Sequence, residues 1–116
     1  MNKDFVPYEE ALALKGLGFD EECYGHHTEG VPLHIGLFLE QKKDLTSAPL
    51  YQQAFRWFRE EYGLLGIVNI AKNGNYYYDI NQINPYKEIY QGVDFYEPEE
   101  AELACLKNLI EIVKDK

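Results

Sequence analysis

The chain has 116 residues, enough for one domain over residues 1–116 and too few for two independent cores. Hydrophobic residues make up 46% and charged residues 27%, the balance of a globular chain, and no apolar run approaches the roughly 20 residues needed to span a bilayer. With a net charge of −9 and no Lys/Arg cluster beyond Lys42-Lys43, direct binding to nucleic acid or to an anionic membrane is not expected. The acids in MNKDFVPYEE stand where a signal peptide needs an apolar stretch, which predicts a soluble, cytoplasmic protein. In that compartment Cys23 and Cys105 are expected as free thiols.

Asp4 to Gly18 reads as a first helix, with Pro7 and two glutamates in its first turn and Gly18 closing it in a left-handed conformation. Phe19 then supplies the apolar contact that often accompanies such an end. Asp20 to Gly30 is a polar connector without a period. Val31 to Gln41 alternates, with Leu33, Ile35, Leu37 and Leu39 on one side, and predicts an amphipathic strand. Lys42 to Thr46 reads as a turn.

The best-specified stretch follows, SAPLYQQAFRWFREEYG from Ser47 to Gly63. Ser47 is the expected N-cap, Pro49 suits the first turn, and Gly63 is the stop. Leu50, Ala54, Trp57, Phe58 and Tyr62 recur at helical steps, while Gln52, Gln53, Arg56, Arg59 and Glu60 form the polar back.

Two β-prone runs, Leu64 to Ala71 and Asn75 to Ile83, flank Asn73-Gly74, the strongest short-range hairpin signal. A two-residue loop there pairs Ala71 with Tyr76, Asn69 with Tyr78 and Ile67 with Ile80; both faces carry apolar groups. Asn84 to Phe95 is irregular, with a short edge strand at Val93 to Tyr96. The last helix runs from Pro98 to about Val113, its acids loading the N-terminal end and its lysines the other. The resulting class is α+β: a three-stranded, mainly antiparallel sheet, made of Val31–Gln41 and the hairpin, with the three helices packed on one face.

Chemistry is sparsely encoded. Cys23, His26, His27 and His34 are the one grouping with metal-ligand character, and Glu21, Glu22 or Glu29 could complete a tetrahedral zinc site. Their spacing is not that of a recognised zinc module, so incidental histidines on a polar loop are the preferred reading. A Cys–His nucleophilic pair at Cys23 rests on sequence proximity alone, and Cys105 sits among apolar helix positions. No catalytic residue, metal or cofactor is assigned. The ten tyrosines and six phenylalanines carry more weight. Tyr76, Tyr78, Tyr86 and Tyr90 are candidates for an interaction surface, as are Arg56 and Arg59 on the polar back of the central helix. Tyr76→Ala or Tyr78→Ala is expected to weaken self-association or partner binding and leave the melting temperature nearly unchanged.

Three segments, YEEALALKGLGFDEEC, APLYQQAFRWFREEYGL and YEPEEAELACLKNLIEIVKDK, resemble a family of small phage- and prophage-encoded proteins. Members of that family share an EQALALKELGFDEPC-like segment, a W(F/L)RE-(K/H)YG helix and a YEEAELACLKKLIEIVK-like closing helix. The resemblance covers the two ends and the centre, and the chain departs from it at Gly16, Glu22 and Glu61, commonly Glu, Pro and Lys. It implies a phage-derived accessory protein and brings no activity with it. The leading expectation is therefore a non-enzymatic protein working through protein–protein contacts, with a homodimer as one form. Two alternatives stand beside it. One is an acidic DNA-mimic inhibitor of a host nucleic-acid-binding protein; the other is a metal-dependent enzyme built on Cys23, His26 and His27.

Overall fold

Pro7, Pro49 and Pro98 mark where the helices can begin, because proline has no N–H to donate and fits only a first turn or an extended approach. The computed structural model describes residues 4–21, 23, 25–28, 31–35, 45–83, 85–91 and 94–115; for 25–28, 31–35, 45–47, 90 and 91 it describes the course of the backbone. The elements in order are α1 (Tyr8–Gly16), β1 (Gly25–Thr28), β2 (Val31–Ile35), β3 (Leu45–Ala48), α2 (Tyr51–Tyr62), β4 (Leu64–Ile70), β5 (Tyr76–Gln82), β6 (Lys87–Gln91) and α3 (Pro98–Lys114). The α+β class is as expected. The chain divides into two compact units, residues 1–53 and 54–116, and the division falls within α2.

In the first unit α1 starts one residue after Pro7, which is extended at φ −62° and ψ 162°. It closes on Gly18 as expected: Gly18 N–H donates to Lys15 O at 3.1 Å and Phe19 N–H to Leu14 O at 3.0 Å. Phe19 and Leu14 are both buried. The strand order is β2-β1-β3. β1 lies inside the stretch expected to be an irregular connector; Gly-His-His-Thr has no apolar alternation, so only its pairing with β2 and β3 reveals it. Pro32 falls in β2, an edge strand, where one missing N–H is tolerated.

Ser47 is not a helix cap. It belongs to β3 and is paired with His26, and Phe5 bridges to Leu50 before α2 begins. Two causes favour extension here. A residue preceding proline, as Ala48 does, is pushed out of the helical region, and Val6 N–H donates to Pro49 O at 2.8 Å.

In the second unit the strands run β4-β5-β6, antiparallel throughout. This is the three-stranded sheet that contains the hairpin. Its third member is β6, not the strand at Val31, which belongs to the other sheet; residues 36–41 of that expected strand lie outside the described residues. The expected Val93–Tyr96 edge strand reduces to Phe95, which bridges to Tyr76, and Val93 lies outside the described residues. The hairpin register is one residue from expectation: Ile70 pairs with Tyr76, Val68 with Tyr78 and Gly66 with Ile80. The loop is Lys72, Asn73 and Gly74, because Gly74 N–H donates to Ala71 O at 2.9 Å and Ala71 N–H to Asn75 O at 2.7 Å. Gly74 takes the left-handed bend at φ 88°, and Asn73 Oδ1 accepts from Asn75 N–H at 3.0 Å.

The register decides which face is buried. Leu64, Tyr78 and Ile80 share one face and are buried, and α3 lies over it with Ala101, Cys105, Leu106, Leu109, Ile110 and Val113 turned inward. Gly66 makes this approach possible. A Cβ there would stand 2.8 Å from Cys105 Sγ and 3.1 Å from Leu109 Cδ1. α2 contributes Ala54, Trp57 and Phe58 as buried residues, with the Trp57 and Phe58 rings edge-on at 5.1 Å, and it stops at Gly63, whose N–H returns to Arg59 O at 3.1 Å.

Candidate functional site

The cysteines are placed by packing. Cys105 is fully buried beneath β4, and its thiol is pushed up to about 12, chiefly by desolvation and further by the charges of Asp79 and Glu102. A thiol held protonated in this way is a poor nucleophile and a poor metal ligand. The folded value lies above the ordinary 9.0, so its contribution to stability is complete below pH 9.0 and is lost as pH rises towards about 12, where only the unfolded chain gains from deprotonation. We expect Cys105 to resist alkylation in the native protein at pH 8 and to react fully in denaturant. Peptide mapping checks this, and rapid native labelling at Cys105 would contradict it.

Cys23 is buried as well. Its Sγ donates to Glu21 O at 3.4 Å and to Gln53 Oε1 at 3.7 Å, and Gln53 Nε2 donates to Glu21 Oε1 at 3.3 Å. Glu21, one of the acids named for a zinc set, is thus engaged by an amide. The backbone register pairs His26 with His34 and with Ser47, and His27 with Thr46, so the adjacent histidines occupy successive positions of a strand. Among the described residues no group of three or more His, Cys, Asp or Glu gathers as a metal site. Glu22 and Glu29 lie outside the described residues.

The tyrosines separate sharply. Tyr78 is 4% exposed, its ring lies 6.0 Å from that of Phe95, and Asn108 Nδ2 donates to its hydroxyl at 3.3 Å. It is a core residue beneath α3 and has no surface to offer; one tyrosine of a Tyr-Tyr-Tyr run had to take the buried face, and the register chose this one. Tyr76 is half-buried at the hairpin end, held by reciprocal 2.8 Å backbone bonds with Phe95. Tyr86 is 71% exposed, and its hydroxyl donates to Asn81 Oδ1 at 3.4 Å. Tyr90 pairs with Ile80 across the β5–β6 ladder. Arg56 and Arg59 are exposed on α2.

Other residues join Tyr86 on the surface of this unit. Tyr96 is 84% exposed, Ile70 64% and Ile67 40%. A burial preference alone would have hidden them; Ile70 ends β4, and Ile67 stands on the sheet face opposite the one that packs on α3. No family model, curated protein or solved structure matches the chain. No described helix is long and apolar enough to cross a membrane.

Proposed function

We propose that this chain is a non-enzymatic accessory protein of phage or prophage type that acts through protein–protein contacts. The observation that carries the reading is the set of exposed aromatic and aliphatic side chains on the second unit, Tyr86 and Tyr96 with Ile67 and Ile70. Exposed tyrosine combines apolar area with a hydrogen-bonding tip and loses little rotamer freedom, which is why it recurs in interface centres. Nothing among the described polar groups competes as a reactive centre: the Cys105 thiol is buried and held protonated, and Cys23 is engaged with Glu21 and Gln53. The phage-type setting is supported by the three resembling segments alone.

The double variant Tyr86→Ala/Tyr96→Ala tests the reading, because both side chains stand clear of the core. Affinity capture from host lysate should recover a saturable partner with the unaltered chain and about tenfold less with the variant, at an unchanged melting temperature. Equal recovery by the two chains would remove this surface from the account.

A further inference from the structure

Asn73 and Gly74 shape the loop between β4 and β5, and the same two residues carry a chemistry of their own. The side-chain amide of an asparagine can be attacked by the backbone nitrogen of the next residue, which is why asparagine counts among the thermolabile residues. A side chain on that next residue obstructs the attack, and glycine has none. Of the asparagines in the sequence, Asn73 alone precedes a glycine; Asn69, Asn75, Asn81 and Asn108 precede Ile70, Tyr76, Gln82 and Leu109.

The fold places the reacting groups in the open. Lys72, Asn73 and Gly74 are exposed, and nothing lies within 4 Å of the point where a Gly74 side chain would begin. A ring closed there meets no obstacle. The Asn75 N–H, donating to Asn73 Oδ1 at 3.0 Å, draws electron density from Cγ and makes it the better electrophile. One contact opposes the reaction. Gly74 N–H donates to Ala71 O at 2.9 Å, and while that bond holds, the nitrogen keeps the proton it must lose. The bond lies in a three-residue loop at the solvent-exposed tip of a hairpin, where local opening costs little.

We propose that Asn73 is a site of spontaneous self-modification, converted through a cyclic imide to isoaspartate and aspartate, with the Gly74–Ala71 hydrogen bond as its gate. When the loop opens, hydroxide takes the Gly74 amide proton, and the electron pair left on the nitrogen forms a bond to Asn73 Cγ. The Cγ–Nδ2 bond breaks, and Nδ2 takes a proton from water and leaves as ammonia, which restores the hydroxide. Water then adds to one of the two imide carbonyls. Cleavage at Cγ gives aspartate; cleavage at the main-chain carbonyl gives isoaspartate, in which Cβ joins the backbone. Either product adds one negative charge to a chain that carries −9. Isoaspartate also lengthens the loop by one carbon, which displaces Gly74 N–H from Ala71 O and loosens the hairpin at its closing end. The inference stands apart from the partner-binding reading and does not depend on it.

The folded chain is incubated at pH 7 and at pH 8, beside the chain in denaturant and a capped peptide spanning Ala71 to Tyr76. Peptide mapping by mass spectrometry locates the products, and enzymatic methylation of isoaspartyl groups separates the two isomers. Conversion in the folded chain should fall on Asn73 and spare Asn69, Asn75, Asn81 and Asn108. It should run on the order of tenfold slower than in the peptide, because the loop must first open. Denaturant should bring the chain to the peptide's rate, and each pH unit should raise the rate about tenfold, since the reactive form is the deprotonated amide. An Asn73 still intact after ten times the period that exhausts the peptide overturns the site. Conversion of the other asparagines at the same pace overturns it too. A folded chain as fast as the peptide overturns the gate, and a rate indifferent to pH overturns the chemistry.

Discussion

Replacing Gly66 with valine should destabilise the second unit by about 2–3 kcal/mol, although valine is the better strand former. The β preference is worth at most about 1 kcal/mol in a strand, and it acts in valine's favour. Against it stands steric overlap. The first added carbon would sit 2.8 Å from Cys105 Sγ and 3.1 Å from Leu109 Cδ1, both fixed in the buried face of α3. Relief requires α3 to lift from β4, which would loosen Leu106, Leu109 and Ile110 together. Gly66→Ala should cost less, about 1–2 kcal/mol, and Cys105→Ala should recover part of that loss by vacating the space the new methyl needs. Denaturant titration of the two single variants and the double variant measures the coupling. Strictly additive effects would mean that the Gly66–Cys105 contact does not limit how closely helix and sheet approach.

Tyr78→Ala should be as damaging, at about 3–5 kcal/mol, because it empties a space between β5 and α3. Tyr78→Phe should cost only about 1 kcal/mol, the net worth of the hydrogen bond from Asn108. The ratio of the two shows that the ring, more than the hydroxyl, holds this position. This prediction reverses the one drawn from sequence, in which Tyr78→Ala would spare stability and weaken association. A Tyr78→Ala chain that melts like the parent would restore the surface role.

Punctuation by glycine and proline was legible in the residues. Gly18 and Gly63 end helices and Pro98 opens one because each supplies a backbone conformation or a missing donor that few other residues match. The hairpin was legible too, but not its register. Asn-Gly suits a tight two-residue loop, yet the chain closes over Lys72, Asn73 and Gly74, and a slip of one residue re-pairs every side chain across the ladder. With apolar groups on both faces of LLGIVNI and YYYDINQ, no pattern identified the face that α3 would cover.

The strands Gly25–Thr28 and Lys87–Gln91 were illegible for a different reason. Neither alternates, and both are strands only because neighbours satisfy their backbone groups. Ser47 misled because serine before an apolar run is a real cap signal; the proline two residues on and the donor from Val6 outweigh it. Tyr86 is exposed, and so are Ile70 at the end of β4 and Ile67 on the sheet face away from α3; which face α3 would cover is not encoded in composition.

Residue-resolved amide hydrogen exchange tests the account of the β4–β5 hairpin most directly, since it reads the phase of the ladder. Ala71 N–H donates to Asn75 O and Ile83 N–H to Gly63 O, so the alternation of antiparallel pairs assigns Leu65, Ile67 and Asn69 to bonds with β5. The amides of these three residues should be protected together with those of Tyr77, Asp79 and Asn81 opposite them. Fast exchange at Leu65, Ile67 and Asn69 would contradict the register.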